Sequence, residues 1–246
     1  MHTIRNYIMA ESLEQAWELN QKGRNNIIIG GNLWLKMGRR NIINAIDLSS
    51  LGLDKIEEDE GGFRIGCMAT LHDIETHEGL NKEFQNLFKE AVRHIVGVQF
   101  RNCATIGGSI FPKLGFSDVL TAFLACDTQV ILYKKGEVPL REFIYIPTDN
   151  DILTHLYVKK DGRKTAYESF RMTETDFPTI TCAVAKTQDV VDEVVADAFS
   201  SEEVADYAKR VIGKLQYGSN IRGSEQYRKQ LSKVLIGRCI SRLTEE

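Results

Sequence analysis

Two glycine pairs carry the most specific chemistry in this sequence. Ile29-Gly30-Gly31-Asn32-Leu33 and Ile106-Gly107-Gly108-Ser109-Ile110 are nearly one five-residue phrase, each placed after an apolar stretch that reads as a strand. Glycine admits φ > 0 and lets a ligand touch the main chain. Successive N–H groups of such a turn face one concavity and hold phosphate oxygens without a lysine. Two such loops could grip the two phosphates of a pyrophosphate from two sides. Either pair alone would read as a hairpin turn, so the binding reading rests on the repetition. Rival motifs fail: no G-x-G-x-x-G opens a βαβ unit, and neither loop continues into G-K-[ST].

Asp118 is the next candidate. It lies in the first turn of a helix predicted from Ser117, where an acid suits the helix dipole and could also accept hydrogen bonds from ribose hydroxyls. Both readings stay open. His72, Asp73, Glu75, His77 and Glu78 crowd together, yet the spacing is not H-E-x-x-H, and histidines five apart fall on different helix faces. A solvated polar turn is the expectation there, with no metal. No serine, cysteine or lysine carries a nucleophile signature such as G-x-S-x-G, so no catalytic residue is assigned. Cys67, Cys103, Cys126, Cys182 and Cys239 are odd in number and scattered, without C-x-x-C. That spacing argues against a disulfide framework, a structural zinc or a cysteine-ligated iron–sulfur cluster. Buried thiols acting as small hydrophobes are expected instead.

The elements that must position these residues follow from periodicity. The first fifty residues read as strand, helix, strand, turn, strand: Ser12 and Gln15 form a capping-box pattern, Ile27 to Ile29 a buried strand, and Ile42 to Ile46 another. Phe63 to Met68 is predicted as a strand, and Phe84 to Ile95 as a helix with Phe84, Leu87, Phe88, Ala91, Val92 and Ile95 on one face. Gln129 to Tyr133, Ile152 to Val158, Thr165 to Arg171 and Ile180 to Ala185 are strand candidates. Two helices close the chain, one opening at the capping box Ser200-x-x-Glu203 and one at Ser224. The charged turn Lys159-Lys160-Asp161-Gly162 is the expected domain boundary, dividing residues 1–160, with subdomains of about 1–52 and 53–160, from residues 161–246.

Composition limits the function classes. A chain of 246 residues, 43% hydrophobic and 26% charged, suits one large domain with a small appendage and excludes disorder, collagen and coiled coil. Its 31 basic and 34 acidic residues give a formal charge of −3, which leaves no basic surplus for nucleic acid. The apolar runs are too short to cross a bilayer, and the N-terminal residues lack a signal pattern, so a cytoplasmic protein without membrane contact is expected.

Joined to their flanks, the two phrases resemble a known family. Arg101-Asn102-Cys103-Ala104-Thr105-Ile106-Gly107-Gly108-Ser109 is similar to the R-N-x-x-T-I-G-G-N segment of the FAD-binding subunits of molybdenum hydroxylases, the xanthine dehydrogenase and carbon monoxide dehydrogenase flavoproteins. Ile28 to Leu33 resembles their first loop, A-G-G-T-D-L or A-G-G-H-S-L. Gly66 to Glu75 resembles their G-A-x-T-T-x-x-D-I turn, and Ser117-Asp118-Val119-Leu120 their S/G-D-L-L. Further on, Tyr167-Glu168-Ser169-Phe170-Arg171 with Asp176 is similar to Y-E-K-F-R…D, and Arg222 to Arg228 to R-G-S-A-E-Y-R. Nearly the whole chain is covered.

The resemblance implies an α+β chain: a two-subdomain FAD-binding fold of the xanthine dehydrogenase/vanillyl-alcohol oxidase type, followed by a small C-terminal α+β domain. It implies FAD contacts at Ile27, Ile28, Ile29, Gly30, Gly31, Asn32, Leu33 and Trp34, and at Thr105, Ile106, Gly107, Gly108 and Ser109. Asp118, Leu153 and Ser169 are further implied contacts. Ser169 departs from the family, which carries lysine there, and Ser109 replaces an asparagine. The implied role is electron transfer from the iron–sulfur subunit of a complex, which also holds a molybdopterin-binding subunit, through FAD to an acceptor, with NAD as the usual one. Two alternatives are a self-contained flavin reductase of related fold and a non-catalytic module that has lost FAD.

Overall fold

The computed structural model describes residues 3–147, 149–187 and 209–244. Its first layer is a parallel sheet built from β1 (Thr3–Met9), β2 (Asn26–Ile29) and β3 (Asn41–Asp47), in the order β1-β3-β2. The helix α1 (Leu13–Gln21) joins β1 to β2, and its N-cap Ser12 accepts from the Gln15 N–H as the sequence predicts.

The second layer is an antiparallel sheet. Its strands are β4 (Ile56–Glu58), β5 (Gly62–Gly66), β6 (Thr128–Leu132), β7 (Gly136–Pro139) and β8 (Leu153–Lys159), in the order β4-β5-β8-β6-β7. Between β5 and β6 the chain forms short helices: α2 (Leu71–Thr76), α3 (Glu78–Glu83), α4 (Leu87–Val92), α5 (Val98–Arg101), α6 (Ile106–Ile110) and α7 (Asp118–Leu124); α8 (Leu140–Phe143) follows β7. They close over the sheet around Phe63, Phe84, Phe88 and Phe123, each fully buried. Burial of a side chain of this size contributes about 1.5–3 kcal/mol.

The helix expected over Phe84 to Ile95 is shorter than its apolar face suggests. Gln85 and Asn86 adopt φ of +46° and +62°, which breaks the helix before α4. Buried Asn81 compensates: its Nδ2 donates to the carbonyls of Ile74, Glu75 and His77, and its Oδ1 accepts from the Lys89 N–H. One amide side chain thereby pins three helices. The second glycine phrase is also not a loop after a strand. It forms α6, with Thr105 as N-cap.

Past Lys159 the chain leaves the second sheet. A separate antiparallel hairpin, β9 (Lys164–Phe170) and β10 (Ile180–Lys186), packs beneath the closing helix α9 (Glu225–Thr244). Residues 209–214 are helical, whereas the Ser200-x-x-Glu203 capping box lies outside the described residues. The hairpin meets the main body through the buried Thr165 hydroxyl, which donates to the Phe84 carbonyl at 2.6 Å, and through Thr121 against Thr181 at 2.9 Å. No helix among the described residues is long and apolar enough to cross a membrane.

Candidate functional site

The first glycine loop leaves β2 and runs directly onto the segment that precedes α6. A Cβ on Gly31 would lie 1.6 Å from the Cys103 carbonyl oxygen, and one on Gly30 2.2 Å from the Thr105 Oγ1. The glycines are needed for close approach between two chain segments, not for the φ > 0 that the sequence suggests. Positive φ falls on the next residue, Asn32, at +57°, a conformation that asparagine tolerates. The Asn32 Oδ1 is buried with no partner. Among the described residues, nothing accepts from the N–H groups of Gly31, Asn32 and Leu33. Open donors and an orphaned acceptor, set in one tight turn, suit a ligand rich in phosphate and hydroxyl oxygens.

The second phrase differs. The Ile106 N–H donates to the Ala69 carbonyl, the Gly107 N–H to the Cys67 carbonyl at 2.8 Å, and the Gly108 N–H to the Thr105 Oγ1 at 3.2 Å. Its amides are therefore engaged within the fold, which corrects the expectation of two equivalent N–H cradles. What α6 offers is surface: a Cβ on Gly108 would meet only the Thr105 hydroxyl, at 3.1 Å.

Both phrases line one cleft of about 500 Å³, within the ~300–1,000 Å³ of small-molecule and cofactor sites. Residues 27–35 form one wall; Cys67, Met68, Thr105, Gly107, Gly108 and Phe111 form another. Asp149, Asn150, Asp151, Ile152 and Leu153 complete it, with Asn20 of α1, Arg24 of the following turn, Asn26 of β2 and Arg40 just before β3. Burial pushes the Cys67 thiol up to about 12, so it stays protonated at neutral pH.

A second cavity of about 210 Å³ adjoins the first, sharing Trp34 and Leu114 with it. The Trp34 ring meets Phe100, Phe116 and Phe177 with centroids 5.7, 6.0 and 5.7 Å away. Ser109, Asp118 and Arg171 also line this cavity. Asp118 is 5% exposed; its Oδ1 accepts from the Tyr167 hydroxyl at 2.5 Å and pairs with the Arg171 guanidinium. Burial raises the pKa of the Asp118 carboxyl, with Arg171 and Tyr167 opposing.

The structure thus gathers residues 27–34, Thr105, Gly107, Gly108 and Leu153 in the first cavity, and places Ser109 and Asp118 in the second. Ile106 is a core residue and lines neither. Ser169 stands opposite Thr181 in the hairpin and also lines neither. Sequence reasoning missed Arg171, Tyr167 and the aromatic trio around Trp34. The alternation of Tyr167, Ser169 and Arg171 along β9 and its end was the available signal, because alternate positions share a face. His72 and His77 do not converge: His72 bonds Glu75, whose carboxylate holds Arg101, while His77 caps α3. No metal-ligand cluster occurs among the described residues.

Known proteins resemble this chain along most of its length. Residues 2–158 match the family described as FAD binding domain in molybdopterin dehydrogenase. The glyceraldehyde dehydrogenase medium chain of Sulfolobus acidocaldarius is 25% identical over 266 residues, covering 93% of this chain and 94% of the relative. An uncharacterised protein of Escherichia coli (strain K12), YgfM, is 24% identical over 95% of this chain and 94% of its own length. Among solved structures, a carbon monoxide dehydrogenase of Hydrogenophaga pseudoflava superposes with a TM-score of 0.83 at 20% identity, covering 97% of this chain and 96% of that one. That likeness speaks to the α+β fold.

Proposed function

The chain belongs to the family of FAD binding domains of molybdopterin dehydrogenases, and from that premise we propose that it is the FAD-carrying subunit of a molybdenum hydroxylase-type dehydrogenase complex. Bound FAD would supply the redox step, taking electrons from the iron–sulfur clusters of a partner subunit and delivering them to an acceptor, for which NAD is our choice. A third subunit would hold the molybdopterin and the substrate. Five free cysteines suit a reducing cytoplasm.

The observation that carries the reading is the apposition of the two glycine phrases across one cleft. The residues suit the cofactor. The open N–H groups of Gly31, Asn32 and Leu33 would hold the pyrophosphate, with the orphaned Asn32 Oδ1 accepting from a hydroxyl. The Thr105 cap and the bare flank of Gly108 would form the opposite wall, and Leu153 would pack beside the bound dinucleotide. The flat ring system would occupy the aromatic cavity beyond Trp34, near Ser109 and Asp118. In this reading residues 1–160 form the FAD-binding domain and residues 161–246 the C-terminal flavoprotein domain. Ser169 is the contact that the geometry supports least.

Release of the bound nucleotide by heat, followed by chromatography, tests the assignment. FAD is the expected product, because a cleft that continues past the phosphate loop accommodates a dinucleotide. FMN alone, or a chain that takes up no flavin on reconstitution, would overturn it.

A further inference from the structure

Arg171 follows directly on β9, and its side chain is only 7% exposed. One terminal nitrogen pairs with Asp118 and the other donates to the Asp176 carbonyl at 2.8 Å. Its Nε–H is buried and finds no acceptor. A buried donor left unpaired is costly, and more so when it is charged, so its survival needs a reason. Arg171 lines the aromatic cavity, whose walls include Trp34, Phe100, Phe116 and Phe177. The other basic side chain among the described lining residues is His94, whose pKa is lowered by burial, then by Arg93 and Arg171. The cavity is therefore lined by one permanent cation, whose Nε–H is buried and unpaired, and by one carboxylate, Asp118, bound to that cation.

Resting on the FAD reading above, we propose that Arg171 is a cofactor-binding residue whose Nε–H and charge face the pyrimidine edge of the flavin, favouring its reduced state, with Asp118 as the opposing charge that sets how strongly. Reduction adds negative charge along that edge, and charge near the ring is a lever by which a protein tunes a flavin. In an apolar cavity a neighbouring charge acts far more strongly than in water. The pair would set the potential by the balance of two opposite charges held at fixed geometry.

The test is the reduction potential of FAD in the reconstituted full-length chain, measured by anaerobic equilibration with reference dyes. Arg171→Gln should weaken the preference for reduced over oxidised flavin at least tenfold, which is about 30 mV for a two-electron couple. Asp118→Asn should move the potential the opposite way. Arg171→Lys keeps the charge and loses the Nε–H, and should fall between wild type and Arg171→Gln. If Arg171→Gln fails to fold, the opposed shifts of Asp118→Asn and Arg171→Lys carry the same comparison. A merely loosened site would move every variant toward free FAD, in one direction. That result, or unchanged potentials in a wild-type chain that holds FAD, overturns the role of Arg171 alone. A wild-type chain that takes up no FAD overturns this proposal together with the reading beneath it.

Discussion

At the scale of single residues, the four glycines of the two phrases do different work. Gly31 permits contact between backbones, with a Cβ 1.6 Å from the Cys103 carbonyl oxygen. Gly31→Ala should therefore lower the melting temperature, because overpacking of this kind costs about 1–3 kcal/mol. Gly108 lies within α6, where alanine is the better helix former by up to ~1 kcal/mol, and its new Cβ would have only the Thr105 hydroxyl to displace. Gly108→Ala should keep or raise the melting temperature while lowering FAD occupancy several-fold. Thermal melts and flavin absorbance on the same samples separate the two. If Gly108→Ala retains full flavin, α6 is not a wall of the cofactor site.

At the scale of elements, the segment that receives the first loop is held from behind. Arg101, 6% exposed, donates to both oxygens of Glu75 at 2.8 and 2.9 Å and to the carbonyls of Arg93 and Ile95. It ties α5 to α2 and sets where Cys103 to Thr105 pass beneath Gly30 and Gly31. Arg101→Met should destabilise the fold by about 3–5 kcal/mol, as expected when a buried pair loses one partner. The brace also titrates. Burial alone would raise the pKa of Glu75, but Arg101 and His72 outweigh it and the net shift is below the ordinary 4.5. A depressed carboxyl contributes stability that is present above its unfolded value and is lost as pH falls through its folded one. Denaturant midpoints should therefore drop in wild type below about pH 4.5. In Glu75→Gln the midpoint should start lower at neutral pH and fall less over that window. Parallel curves for the two proteins would remove Glu75 from the account.

At the scale of the whole molecule, the described residues offer two adjoining cavities of about 500 and 210 Å³ and no metal-ligand cluster. The isolated chain, loaded with FAD, should be bleached anaerobically by NADH or by a chemical reductant and should pass electrons to a dye. It should show no bleaching with purines or other heterocycles until the iron–sulfur and molybdenum subunits are added. Rapid bleaching by a purine with this chain alone would show that it holds a substrate site of its own.

The sequence by itself determined what is local. The glycine phrases, the helix starts at Ser12 and Ser117 and the strand periodicities are each set within a few residues, and so most elements that carry the site were legible; α6 was not, because its glycine phrase reads locally as a turn. The family resemblance, carried by the same short motifs, was legible for the same reason. Helix α4 was misjudged at its start because an apolar face says nothing about φ at Gln85 and Asn86. Which polar groups remain free is a tertiary matter. The amides of α6 are occupied by Cys67, Ala69 and Thr105, while those of the first loop stay open. Asp118 is claimed by Tyr167 and Arg171, which reach it from the far hairpin. Packing alone decides such pairings, because a donor's partner is whatever acceptor the fold brings within 3 Å or so, however distant it is along the chain.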